Sequence, residues 1–115
     1  MRTTNGLNLG NMLTTSINDG NSQDIDLSLY DSAKITLNGS MATWTITFSN
    51  IAVGSRLTLW TEGGNDGMST LNLPAVKWDS GTQPMPIGAI DLYNFFSTGT
   101  TAGSMIGCRD VTGAS

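Results

Sequence analysis

The sequence predicts an all-β protein: a single small β-sandwich or jelly-roll-like barrel of seven or eight short antiparallel strands, preceded by an extended N-terminal arm. Three observations point there. Apolar residues recur at every second position in one short run after another, the period of a strand with one buried face. Only 12% of the 115 residues are charged, while Gly, Ser, Thr and Asn abound, a composition of strands and turns. No stretch carries the 3.6-residue period of an amphipathic helix. A chain of this length holds one core, so the organisation expected is an arm, residues 1–23, and one β domain, residues 24–115.

The arm is polar, with Gly6, Gly10, Gly20 and several asparagines, and its apolar residues Leu7, Leu9, Met12, Leu13 and Ile17 keep no sustained period. A frayed terminus, common for domain ends that nothing ties down, is one reading, but these leucines are more than a solvated tail needs. The arm is therefore expected to lie along another protein, with Leu7, Leu9 and Leu13 as its contacts. From Asp24 the alternation is clean: Ile25, Leu27 and Leu29 face one way, Asp24, Asp26 and Ser28 the other. Asp31-Ser32 makes a turn, and Ala33, Ile35 and Leu37 follow with Lys34 and Thr36 outward. Asn38-Gly39 tolerates positive φ and reads as a hairpin connection into Thr43–Phe48. There Trp44, Ile46 and Phe48 alternate with threonines, whose β-branching suits the pleat.

Arg56–Glu62 gives the next strand, with Leu57 and Leu59 inward and Trp60 on the opposite face. Gly63-Gly64-Asn65-Asp66-Gly67 is a loop tip, and Thr70–Leu73 returns until Pro74 interrupts the ladder, which places that point at an edge or bulge. Val76 and Trp78 share one face with Lys77 on the other. The run from Ile90 to Phe96 is apolar on both faces: Ile90, Leu92 and Phe96 on one, Asp91, Tyr93 and Phe95 on the other. The first set suits the core. The second, an acid with two aromatics, suits contact with a neighbouring subunit. Met105–Val111 forms the last strand, and no repeat of 20 to 50 residues is visible.

The motif residues Val76-Lys77-Trp78, Gly81-Thr82-Gln83-Pro84 and Ile90-Asp91-Leu92-Tyr93-Asn94-Phe95 resemble the terminal domains of tailed-bacteriophage tail fibres and related virion surface proteins. Those read Val-Lys-Trp-Pro-Gly-Gly-Thr-x-Pro, a spacer, then Val-Asp-hydrophobic-aromatic-x-Phe. The resemblance covers roughly residues 24 to 110, with weaker likeness in the upstream strands. Asp79-Ser80 stands where that pattern has Pro-Gly, and no Tyr-Gly pair closes the final strand. The resemblance implies a role in the virion, assembly as a homotrimer, and no catalytic residues.

The search for chemistry agrees in direction. The chain has no histidine, the commonest general base and metal ligand, and Cys108 is its single cysteine, read as a small hydrophobe on the last strand. Glu62, Asp66, Asp79 and Asp91 are the carboxylates available for a glycosidase pair, but turn and solvated-strand positions explain them more simply. The Glu62–Asp66 loop lacks the ligand alternation of a calcium loop, and Asn38-Gly39-Ser40 is a sequon of the kind chance supplies. No catalytic residue, cofactor or metal is expected. A net charge of -4 with five scattered Lys and Arg gives no footprint for nucleic acid. Neither a signal-peptide core nor a run of about 20 apolar residues occurs, so synthesis and assembly in a bacterial cytoplasm, without a membrane partner, are expected.

The binding candidates are therefore aromatic. Trp44 and Trp78 suit the core. For Trp60 and Tyr93 the order of preference is core, interface, then ligand, and Trp60, Asp91, Tyr93 and Phe95 join Leu7, Leu9 and Leu13 as interface candidates. Two functions compete: a capsid decoration, or cement, protein joining major capsid subunits on the head, and a receptor-binding tail-fibre tip recognising a host-surface glycan or protein. With only some twenty residues ahead of the sheet, a short arm holding a knob to a shell is favoured over a shaft.

Overall fold

The computed structural model describes residues 11–86 and 88–114, with side chains followed as far as Arg109. It is all β, without an α-helix among the described residues. Nine strands run in order: β1 Met12–Ile17, β2 Ser22–Asp26, β3 Ser32–Leu37, β4 Thr43–Ser49, β5 Arg56–Glu62, β6 Thr70–Asn72, β7 Lys77–Trp78, β8 Ile90–Ser97 and β9 Met105–Ala114, with one 3₁₀ turn at Ala102–Ser104. They form a large sheet of order β1-β3-β5-β8-β9-β7 and a small sheet of order β2-β4-β6.

The first six strands alternate between the two sheets, and each of β1 to β4 lies parallel to the strand two places on. Met12 sits beside Ser32 and Ser32 beside Thr58 in the large sheet. Ser22 sits beside Thr45 and Thr43 beside Thr70 in the small one. The chain thus winds as a flattened coil, each winding contributing one strand to each sheet. Antiparallel pairing begins only where β8 returns along β5 and β9 along β8; the two-residue β7 then adds parallel to β9.

This corrects the antiparallel sandwich expected from the sequence. Ala33–Leu37 and Thr43–Ser49 are both strands, and Asn38-Gly39 does turn the chain, with φ of 105° at Gly39. The turn, however, passes from one sheet to the other, so β3 and β4 face each other across the core instead of sharing a ladder. The arm is corrected too. From Met12 its residues are β1, a turn and the first two residues of β2, with Leu13 packed against the core, whereas Leu7 and Leu9 lie outside the described residues.

The core lies between the sheets. Ile17, Ala33, Ile35, Leu37, Leu57 and Leu59 enter it from the large sheet, Ile25, Trp44, Ile46 and Leu71 from the small one. Each buried large aliphatic contributes roughly 1.5–3 kcal/mol before ordering costs. Trp44 is completely buried and its indole N–H donates to the Asn38 carbonyl oxygen at 2.9 Å, so the core's largest side chain leaves no orphan donor. Successive windings are tied at their ends: the Asn38 amide donates to the Asn18 side-chain oxygen at 3.1 Å, and Thr43 N–H donates to Asp19 at 2.9 Å. Beyond β6 the small sheet is closed by a side chain. The Gln83 amide donates to the Leu71 carbonyl at 2.6 Å and accepts from Leu73 N–H at 3.2 Å, occupying edge positions that a further strand would take.

Candidate functional site

The two outer faces of the coil differ in chemistry. On the large sheet the outward residues of β5, β8 and β9 bring together Trp60, Ile90, Leu92, Phe96 and Ile106. Trp60 pairs with Leu92 across β5–β8, and Phe96 with Ile106 across β8–β9. Phe96 is 38% exposed and Ile106 48%. Cations from the same sheet lie over two of the rings: Lys34 Nζ is 4.7 Å from the Trp60 centroid and the Arg56 guanidinium 5.0 Å from that of Phe96. Lys34 also approaches Glu62 at 3.8 Å, and the Thr58–Asn94 pair, with Thr58 donating at 2.8 Å, lies between the Trp60–Leu92 and Phe96–Ile106 pairs, so polar groups both border and divide the apolar positions.

The small sheet presents the opposite. Its outward positions are Ser22, Asp24 and Asp26 on β2, Thr43, Thr45, Thr47 and Ser49 on β4, and Thr70 and Asn72 on β6, without one apolar side chain. Asp24 accepts from the hydroxyls of Thr47 at 2.7 Å and Ser49 at 2.5 Å. Asp26 accepts from the hydroxyl and backbone N–H of Ser28 and from the Asn50 amide, and these bonds hold its carboxyl below the usual carboxylate range.

Among the predicted interface residues, Trp60 does lie opposite Leu57 and Leu59, half-buried on the outer face. Asp91, Tyr93 and Phe95 do not face outward. They are buried, at 0%, 0% and 3% exposure, and it is Ile90, Leu92 and Phe96 that turn away from the core. Both faces of this strand are apolar, so its two-residue period cannot tell inside from outside; pairing with β5 decides, setting Phe95 beside the core residue Leu57 and Tyr93 beside Leu59. Phe95 then packs edge-on against Phe48 and Trp78. Ile106, by contrast, is an outward residue that sequence reasoning missed. Its signal was the alternation of Met105, Ile106 and Gly107, readable only once Gly107 is known to face inward, where Trp78, Phe95 and Val76 leave no room for a side chain.

Of the carboxylates considered for catalysis, Glu62, Asp66 and Asp91 lie in three different settings. Asp66 accepts from the backbone N–H groups of Met41, Met68 and Ser69 and from the Ser69 hydroxyl, which pushes its pKa far down and ties the 63–69 loop to the 38–42 connection. Glu62 pairs with Lys34, and Asp91 is inside the protein. No set of three metal-ligating side chains converges among the described residues.

No protein-family model, curated protein or solved structure matches the chain. The geometry of its two faces is therefore what any functional reading has to work from.

Proposed function

We propose that this chain is a non-enzymatic structural protein of a phage particle, a capsid decoration protein that seats the apolar half of its large sheet on the particle and on copies of itself. The observation that carries this reading is the chemical opposition of the faces. Two aromatic and aliphatic clusters bordered by charges, with one polar rung between them, match the mixed apolar and polar make-up of protein interfaces. The hydroxyl-rich small sheet matches a surface left in water. The phage setting and the trimer rest on the likeness of the 76–95 motif to virion surface proteins. A receptor-binding tip is the second reading, favoured by the same small sheet, whose hydroxyls, amide and carboxylates suit the hydroxyls of a glycan.

One pair of variants separates the two. Phe96→Ser with Ile106→Thr changes only partly exposed side chains, so the variant should keep the native β spectrum while losing attachment to purified particles and self-association by light scattering. Thr45→Lys with Thr47→Lys on the small sheet should leave both intact. Full decoration by the large-sheet variant would overturn the proposal, and loss of adsorption to cells in the small-sheet variant alone would establish the receptor reading instead.

A further inference from the structure

Near the end of β5 that lies beside the start of β8, the core changes character. Thr61 and Asp91 are register partners across β5–β8, and Tyr93 follows Asp91 on the same inward face. All three are at 0% exposure. Three bonds tie residues ahead of β8 to this region: Gly88 N–H donates to Asp91 Oδ2 at 3.4 Å, Gly63 N–H donates to the Ala89 carbonyl at 3.1 Å, and Arg109 Nη1 donates to the Met85 carbonyl at 2.6 Å. The hydroxyls of Thr61 and Tyr93 are both buried, and among the described residues neither has a partner at full hydrogen-bond geometry. The Tyr93 hydroxyl lies close to Thr61 and Arg109, whose poorly aligned polar contacts lower its pKa, and to the Asp91 charge, which raises it. Burial first, and the Asp91 charge second, push it up to about 12, so it stays protonated and needs an acceptor.

An orphaned hydroxyl in a core costs about 1–3 kcal/mol, and two side by side are rarer still. We propose that Thr61 Oγ1 and Tyr93 Oη, beside the Asp91 carboxylate, form the binding site of one internal water molecule. Water is the guest the chemistry selects. A cation would sit near the Arg109 guanidinium with one carboxylate to offset it, and an anion would meet Asp91 itself. A neutral molecule that both accepts and donates meets every need at once: it accepts the Tyr93 proton, exchanges a bond with the Thr61 hydroxyl, and donates to a carboxylate able to take several bonds. Two to four polar partners are what an internal water requires. Its bonds join β5 to β8 near the segment that Gly63, Asp91 and Arg109 hold, so this water is a structural ligand of the fold.

The test uses the intact protein. Oxygen-17 relaxation dispersion counts waters held longer than the tumbling time, and a crystal structure at atomic resolution shows where they lie. The expected result is density bonded to Thr61 Oγ1 and Tyr93 Oη. The dispersion amplitude should also fall by about one water in the Tyr93→Phe, Thr61→Val double variant with its β spectrum retained. Either single variant serves as a second measurement if the double variant unfolds. Density showing the two hydroxyls bonded directly to each other or to Asp91, or an unchanged amplitude in a folded variant, would overturn the site.

Discussion

Gly64 and Gly67 stand three residues apart in the same loop with the same backbone, φ of 75° and 74°, and differ in what surrounds them. A Cβ on Gly64 would lie 2.9 Å from Leu37 Cδ1 and 3.2 Å from Trp44 Cζ3, whereas one on Gly67 meets nothing within 4 Å. Replacing each by alanine separates two costs that are usually measured together. At Gly67 only the left-handed conformation is charged to the new side chain, about 1–2 kcal/mol, part of it offset by the loss of glycine's freedom in the unfolded chain. At Gly64 the same term applies, and a methyl group must also push into a closed core. Leu37 is 5% exposed and Trp44 0%, so neither can swing aside into solvent. Overpacking of this kind costs about 1–3 kcal/mol. The expected losses are thus about 1 kcal/mol for Gly67→Ala and about 2–4 kcal/mol for Gly64→Ala. Urea denaturation at constant slope measures both. Equal losses, or a larger loss at Gly67, would refute the packing of this loop against the Leu37–Trp44 pair.

Other expectations follow from single contacts. Gln83→Ala removes both bonds that close the edge of β6, so the Leu73 amide proton should exchange with solvent faster and stability should fall by about 1–3 kcal/mol. Because the folded pKa of Asp66 is depressed below the ordinary carboxylate value of 3.8, the stability it contributes is fully present above about pH 4 and is lost as pH falls below that value. Asp66→Asn should therefore flatten the acid side of a stability–pH profile, and an unchanged slope would mean that its bonds to Met41, Met68 and Ser69 do not form. Gly107→Val, whose first added carbon would lie 2.9 Å from the Trp78 ring and 3.0 Å from both Phe95 and Val76, should cost at least as much as Gly64→Ala in the same denaturation assay.

Most strands other than β1 were legible in the sequence to within about three residues, because alternation at Leu57 and Leu59, or at Trp44 and Ile46, reports which side chains go inside. Partnership was not legible. A strand whose inward residues are Ala33, Ile35 and Leu37 reads the same whether it is paired antiparallel to its successor or parallel to the strand after next. The windings themselves leave no fixed repeat, since Met12 and Ser32 are neighbours at a separation of 20 residues but Ser32 and Thr58 at 26. The stacked pair Asn18 and Asn38 was the available clue, hidden among the chain's many asparagines. For the candidate site the sequence placed Trp60 on the face opposite Leu57 and Leu59 and inverted β8, where apolar residues on both faces leave no contrast between inside and outside. The role of Gln83 could not have been read, because a side chain that imitates a strand edge has no pattern.

At one end of the coil the connections between sheets lengthen winding by winding: residues 18–21, then 38–42, then 63–69, while the ladders beside them stay in register. Added residues have been absorbed at the rim without disturbing the rungs. Loop closure makes this inexpensive, since doubling a connection costs only about 0.6 kcal/mol, and Gly67 projects into open space. The protein is in that sense a ready carrier for foreign sequence. A short epitope spliced after Gly67 should be displayed on a scaffold whose melting temperature barely changes, whereas the same insert between Gly63 and Gly64, against Leu37 and Trp44, should cost the fold.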